Sequence, residues 1–98
     1  MASGKIGARR WSWAGGALHV VHFGGETVAF HEATASTHVF DEDTYRVVET
    51  LRHLHGDVSG TELWTRAFGV APAPSDCEAL DETLETLIQA GLVAAKPS

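Results

Sequence analysis

The hydrophobic pattern of this 98-residue chain changes its period at Asp41, and this change constrains the fold more than any other feature. Before Asp41, β-branched and aromatic residues cluster in short runs separated by glycines, which indicates strands and tight turns. After Asp41, apolar residues recur at helical spacing in three segments, and a glycine follows each segment. Strands followed by helices predict an α+β fold in which one sheet packs against three helices.

Three strand-like segments precede the change, at residues 18–23, 27–31 and 37–40. The dipeptide Gly24-Gly25 separates the first two and suits a hairpin turn, because glycine tolerates positive φ. A short loop at residues 33–36 separates the second segment from the third. Two successive hairpins predict a three-stranded antiparallel sheet whose edges are the first and third strands.

Polar residues at the starts of the later segments predict where the helices begin. Asp41 is predicted to cap the first helix, since its carboxylate can accept a hydrogen bond from a free backbone N–H. Ser59 and Glu62 have the spacing of a capping box, and Ser75 and Glu78 repeat that spacing before the third helix. The sheet is therefore followed by three separate helices.

Length and composition predict one domain. We expect residues 11–95 to form it, and residues 1–10, rich in Gly, Ala and Arg, to form a disordered N-terminal tail. The single cysteine, Cys77, excludes a disulfide within the chain and fits a reducing compartment. No apolar run approaches the roughly 20 residues of a transmembrane helix. We therefore expect a cytoplasmic protein without a membrane partner.

The charge distribution disfavours nucleic-acid binding. The net charge is −6, and residues 41–98 contain eleven acidic residues against four basic ones. A winged-helix DNA-binding regulator, the main alternative function, would place its third helix on DNA and neutralise phosphates there. The predicted third helix has no Lys or Arg and five acids, Asp76, Glu78, Asp81, Glu82 and Glu85. We expect no nucleic-acid partner.

No residue pattern indicates catalysis or metal binding. The six histidines include no pair at helical i, i+4 spacing, and His19 and His22 would point to opposite faces of a strand. Cys77 lies between Asp76 and Glu78 rather than in the electropositive setting that activates a thiol. We expect no metal, no cofactor and no catalytic residue, so the chain is predicted not to be an enzyme.

Several short motifs resemble the PqqD-like family. Thr37-His-Val-Phe-Asp41 resembles that family's Thr-His-Leu-Leu-Asp stretch, where a strand runs directly into the first helix. Residues 84–93 resemble its ending, a Leu-rich helix closed by Gly-Leu-Val. The pair Trp11 and Trp13, with the Gly-Gly hairpin, is similar to the branch associated with HPr-kinase-related proteins. The resemblance covers roughly residues 11–94, with one departure: Ala35 stands where relatives usually have Gly.

The resemblance implies a winged-helix-like, PqqD-like fold and a peptide chaperone, or precursor-recognition element, in natural product biosynthesis. Such domains bind the leader of a ribosomally made precursor peptide as an additional strand on the third strand, against the third helix. A separate enzyme then modifies the peptide. The candidate peptide-binding residues of the strand are Thr37, His38, Val39 and Phe40. On the helix, the apolar stripe could receive apolar side chains of the peptide at Leu84 and Ile88, and Asp81 and Glu85 beside it could meet basic residues.

The third predicted strand also has an edge without the usual protection. Soluble proteins block sheet edges with Lys, Pro or bulges, and residues 37–40 contain neither Lys nor Pro. An exposed edge can pair with an extended peptide, whose alternate side chains then occupy pockets. The same edge could instead pair with a second copy of the chain and give a homodimer.

Two parts of the sequence have alternative interpretations. Leu84 and Ile88 lie on an apolar helical stripe, which is typical of ordinary core packing as well as of a binding groove. Trp11 and Trp13 either pack on the sheet or form a docking patch for a partner enzyme. We expect packing, because large aromatic side chains are seldom left exposed.

Overall fold

A computed structural model of the protein describes residues 9–97. Within this range the strands are β1 (Arg9–Trp13), β2 (Leu18–Phe23), β3 (Glu26–His31), β4 (Ser36–Asp41), β5 (Val58–Ser59) and β6 (Val93–Pro97). The helices are α1 (Glu42–Arg52), α2 (Gly60–Phe68) and α3 (Pro74–Gln89). The predicted α+β fold, with a three-stranded antiparallel sheet followed by three helices, is confirmed.

The predicted meander is the sheet β2-β3-β4. Gly24 has a φ of 59°, so it occupies the left-handed position of the two-residue hairpin turn between β2 and β3. In the register, Val28 of β3 lies between Val21 and Val39. The third predicted strand is β4, and it lies at an edge of this sheet, as the hairpin order predicted.

A second sheet, in the order β5-β1-β6, was not predicted. Its central strand β1 pairs antiparallel with both neighbours. Arg9 and Arg10 belong to this strand rather than to a disordered tail, and Arg10 Nε donates to Asp57 Oδ1 at 2.6 Å. The rest of the predicted tail, residues 1–8, lies outside the described residues. β5 has only two residues, so no alternating pattern could indicate it.

The core lies where the two sheets meet the helices. β3 turns Thr27, Ala29 and His31 inward, and turns Val28 and Phe30 to its outer face. Fourteen apolar residues are buried among the described residues: Trp11, Leu18, Ala29, Phe40, Val47, Val48, Leu51, Val58, Leu63, Leu80, Leu84, Leu87, Leu92 and Val93.

Trp11 is 1% exposed and belongs to this core, so it packs rather than docking a partner. The Arg9 guanidinium covers its ring, 4.5 Å from the ring centroid. Trp13 is half-buried, and its Nε1 donates to the Gly16 carbonyl at 2.9 Å. The indole N–H of Trp11 has no hydrogen-bond acceptor among the described residues.

The first two helices begin as predicted. The Asp41 carboxylate accepts a hydrogen bond of 2.8 Å from the Thr44 N–H, which caps α1. The Ser59 hydroxyl accepts a hydrogen bond of 3.2 Å from the Glu62 N–H, which caps α2. Each cap satisfies one of the backbone donors that a helix leaves free at its start.

The start of α3 differs from the prediction. Ala73 is the N-cap residue, and Pro74 is the first helical residue. The Asp76 carboxylate accepts a hydrogen bond of 3.0 Å from the Ala73 N–H. Ser75 therefore lies inside the helix instead of capping it. Proline favours the first helical position because its φ is already helical and no backbone donor is lost there.

The loop between β3 and β4 contains the one non-glycine residue with positive φ among the described residues, Ala35 at 56°. A left-handed backbone conformation costs an L-residue roughly 1–2 kcal/mol. Glycine in place of alanine has an opposing effect of about 0.4–1 kcal/mol, because it increases the conformational entropy of the unfolded chain. We therefore expect Ala35→Gly to increase the free energy of unfolding by about 0.5 kcal/mol.

Denaturant titration of both proteins measures this change. Ala33→Gly is the matched control in the same loop, where φ is not positive. At position 33 only the entropy of the unfolded chain changes, so we expect Ala33→Gly to lower the free energy of unfolding by about 0.4–1 kcal/mol. Equal losses at both positions would show that Ala35 is not strained.

Candidate functional site

A groove of about 530 Å³ separates the free edge of β4 from α3. We call it the edge groove. One side is formed by β4 from Thr37 to Asp41, with Thr44 of α1 at the end of the strand. The opposite wall is one face of α3, formed by Thr83, Thr86, Leu87 and Ala90.

The two-residue turn at Gly24-Gly25 determines which residues of β3 bond to β2. Phe23 and Glu26 flank the turn and are register partners, and a two-residue hairpin makes them a hydrogen-bonded pair. Hydrogen-bonded and non-hydrogen-bonded pairs alternate along antiparallel strands. At the other end of the pair, the Glu32 N–H donates to the Ala17 carbonyl at 3.4 Å, in agreement with this alternation. The even-numbered residues of β3 therefore bond to β2.

The odd-numbered residues of β3 direct their N–H and C=O groups to β4. Their partners on β4 are Ser36, His38 and Phe40. The backbone groups of Thr37 and Val39 consequently point away from β3, toward the edge groove. Within residues 9–97 no strand pairs with this side of β4. Two residues thus offer free donors and acceptors to an additional strand.

The sequence-predicted strand residues all border the edge groove. Thr37 and Val39 are exposed, and Val39 is 62% exposed. His38 is half-buried and Phe40 is buried in the core, so these two support the strand from its inner face. The structure brings all four together because they are consecutive residues of one edge strand.

The four sequence-predicted residues of α3 do not line the edge groove. Leu84 is 1% exposed in the core, and Ile88 packs against the core. Arg9 of β1 lies 2.7 Å from the Glu85 carboxylate and 3.9 Å from that of Asp81. These residues face the core and β1, and a role for them in partner binding stays a prediction.

The residues that do form the α3 wall have a sequence signal of their own. Thr83, Thr86 and Ala90 are spaced by three and four residues, which places them on one helical face. Their side chains are small, and none is charged. Such a face does not stand out in the sequence, because it is not an apolar stripe. Its small residues leave the space in which an extended backbone can lie.

A chain of hydrogen bonds joins the groove to the core. His31 is 1% exposed, and its Nε2 donates to the Gly15 carbonyl at 2.5 Å, because a carbonyl can only accept. The other ring nitrogen, Nδ1, is hydrogen-bonded to the Thr34 hydroxyl at 2.9 Å. The Ser36 hydroxyl is hydrogen-bonded to the Thr34 hydroxyl at 2.6 Å and to His38 Nε2 at 3.0 Å. The ring of His38 is thereby oriented beside the edge groove.

Asp41 has two structural roles, because it caps α1 and also lines the edge groove. The Thr44 hydroxyl, followed by the Thr44 backbone N–H, lowers the pKa of the Asp41 carboxyl from its ordinary 3.8. A lowered pKa means that the ionised carboxylate is the form that stabilises the fold. The stabilisation is therefore complete above the ordinary pKa and is lost as the pH falls through the lower, folded-state value.

We expect Asp41→Ala to lower the free energy of unfolding by about 1 kcal/mol at neutral pH, because the cap is lost. Asp41→Asn should cost much less, since asparagine caps a helix about as well as aspartate. Thermal melts at neutral and strongly acidic pH measure both effects. The difference between wild type and Asp41→Ala should narrow in acid, and a difference that widens would contradict the assigned cap.

The described residues offer no metal cluster or membrane-spanning helix. Within residues 9–97, no three His, Cys, Asp or Glu side chains are grouped so that they could hold a metal ion. None of the helices in that range is long and apolar enough to cross a bilayer.

Comparison with known proteins finds no matching family model, curated protein or solved structure.

Proposed function

We propose that this chain is a peptide-binding module of the PqqD-like kind, with a winged-helix-like arrangement of its sheet and helices. It takes the leader of a ribosomally made precursor peptide as an additional strand on β4, against α3. It presents the peptide to a separate modifying enzyme and performs no chemistry itself. The observation that supports this proposal most strongly is the free edge of β4 facing the edge groove of about 530 Å³.

The dimensions and chemistry of the groove suit an extended backbone. A strand added to β4 would lie roughly 4.8 Å from it and bond to the free groups of Thr37 and Val39. Alternate side chains of the peptide would then face α3, where Thr86, Leu87 and Ala90 leave room for them. Backbone pairing supplies affinity in this mode of recognition, and the side-chain pockets supply selectivity.

Two competing functions are less well supported. DNA binding would place the acidic α3 against phosphates, which would repel it. Among the described residues the cation beside α3 is Arg9, and it is already paired with Glu85. Pairing of β4 with a second copy would give a homodimer that competes with the peptide for the same edge. Light scattering with and without bound peptide separates this homodimer from the proposed complex.

Amide hydrogen exchange of the protein, measured with and without a bound peptide, tests the proposal directly. Random linear peptides displayed as a library are first selected on the full chain, and a selected peptide is then added to labelled protein. We expect new protection at the amides of Thr37 and Val39, because these donors are free before binding. His38 already bonds to β3, so its protection should change little.

The opposite edge of the same sheet provides the control. The N–H of His22 points away from β3 on the free side of β2, by the same alternation. It should remain unprotected when the peptide binds. Binding without new protection at Thr37 and Val39, or selection that enriches no peptide, would refute strand addition on β4.

A further inference from the structure

A second cavity continues the edge groove beyond the end of β4. It has a volume of about 180 Å³ and lies among α1, α2 and the first half of α3. We call it the aromatic cleft. Asp41, Thr44 and Thr83 line both cavities, so the groove and the cleft meet at these residues. A peptide that leaves β4 at Asp41 would reach the cleft directly.

Apolar side chains form most of the lining of the cleft. Trp64 and Phe68 of α2 belong to it, with 4.4 Å between their ring centroids, together with Val47 and Leu80. A cavity of about 150 Å³ lined by apolar side chains accommodates a benzene ring. The cleft therefore has room for one large apolar side chain, such as a phenyl or isobutyl group.

The rim of the cleft is acidic. Asp41 and Asp43 both line it, and among residues 9–97 neither carboxylate has a cationic side chain within salt-bridge distance. Arg46 lies over the Phe68 ring at 5.9 Å, but it is paired with Glu42. Two carboxylates without a cationic partner among the described residues, beside an apolar cavity, complement a ligand that joins an apolar group to a positive charge.

We propose that the aromatic cleft anchors the bound peptide through one large apolar residue with a neighbouring Lys or Arg. The apolar side chain fills the cleft, and the cation faces Asp41 and Asp43. The anchor lies directly beyond the strand-forming segment: it precedes that segment in a peptide antiparallel to β4 and follows it in a parallel one. This inference rests on the proposed function, and it assigns the class of peptide that the site selects.

The selected library peptides test this assignment. We expect enrichment of a Phe, Leu or similar residue next to Lys or Arg, at one end of a strand-forming segment. Affinity is then measured by calorimetry for two variants of the cleft. Ala79→Phe places a ring in the cleft from an exposed position of α3, and should weaken binding at least about tenfold because burial of one large side chain is lost.

The second variant, Asp41→Asn with Asp43→Asn, removes both charges and keeps the cap of α1. We expect binding to weaken about three- to tenfold at low salt, and less at high salt because exposed charges are screened. Glu78→Gln with Glu82→Gln is the matched control. It removes the same charge from exposed positions of α3 that line neither cavity, and should leave affinity within about twofold. Thermal melts verify that all variants fold.

The outcomes separate this inference from the proposed function. If Val39→Pro abolishes binding while both cleft variants bind normally, the anchor site is wrong and strand addition stands. Equal weakening by the two charge-removal variants would also overturn the anchor site, because the effect would then be non-local. If Val39→Pro has no effect, or the chain is a dimer that peptide does not displace, both ideas fail.

Discussion

Replacing Val39 by proline should weaken binding of a selected peptide about ten- to a thousandfold, the largest effect that we expect on binding. The proline has no N–H, so the peptide loses one backbone bond and retains an unsatisfied carbonyl. The bond itself contributes about 0.5–1.5 kcal/mol, and the unsatisfied group costs about 1–3 kcal/mol. Calorimetric titration of the wild type and the variant measures the difference.

The fold should tolerate this substitution. The Val39 N–H points away from β3, so no hydrogen bond of the sheet is lost. Residue 38 is already extended, which is the conformation that a following proline requires. We therefore expect the melting temperature to change by only a few degrees. A large loss of stability would contradict the register from which the free edge was deduced.

Two controls identify the cause of the loss. Val39→Ala keeps the N–H and removes most of the side chain, so binding through the backbone predicts a change below about threefold. His22→Pro introduces the same residue at the opposite edge of the sheet, where we expect no effect on affinity. If Val39→Ala is as damaging as Val39→Pro, recognition occurs through the side chain and strand addition is not needed to explain it.

The largest effect on stability is expected for Trp11→Ala. Trp11 is 1% exposed at the centre of the second sheet, and its neighbours come from distant parts of the chain. Truncating a buried tryptophan costs about 3–5 kcal/mol, against a total of about 5–15 kcal/mol for a typical domain. For a chain of this size the melting temperature should fall by more than about 12 °C.

Trp11→Phe should be much milder, for a reason specific to this site. The indole N–H of Trp11 is buried without an acceptor among the described residues, so its removal also removes an unsatisfied donor. Trp13→Phe is the matched comparison, because there the N–H donates to Gly16. We expect Trp11→Phe to lose less than half of the stability that Trp11→Ala loses. Equal losses for Trp11→Phe and Trp11→Ala would contradict this expectation, because a phenyl ring would then contribute no more than a methyl group at this position.

The sequence alone determined the elements that depend on local patterns. The change of period at Asp41 predicted a sheet followed by three helices, and Asp41 and Ser59 predicted two helix starts that the hydrogen bonds confirm. The hairpin order also predicted that residues 37–40 lie at an edge. These features are local because hairpins and caps involve residues only a few positions apart.

The tertiary structure alone decided the second sheet and the wall of the groove. β1 pairs with strands that follow it by more than forty residues, and these strands are too short or irregular to be recognised by themselves. The periodicity of α3 indicates one apolar stripe, but it does not predict which element packs against the helix on either side of that stripe. Arg9 of β1 occupies the Asp81 and Glu85 side, so Thr83 and Thr86 are left to face β4.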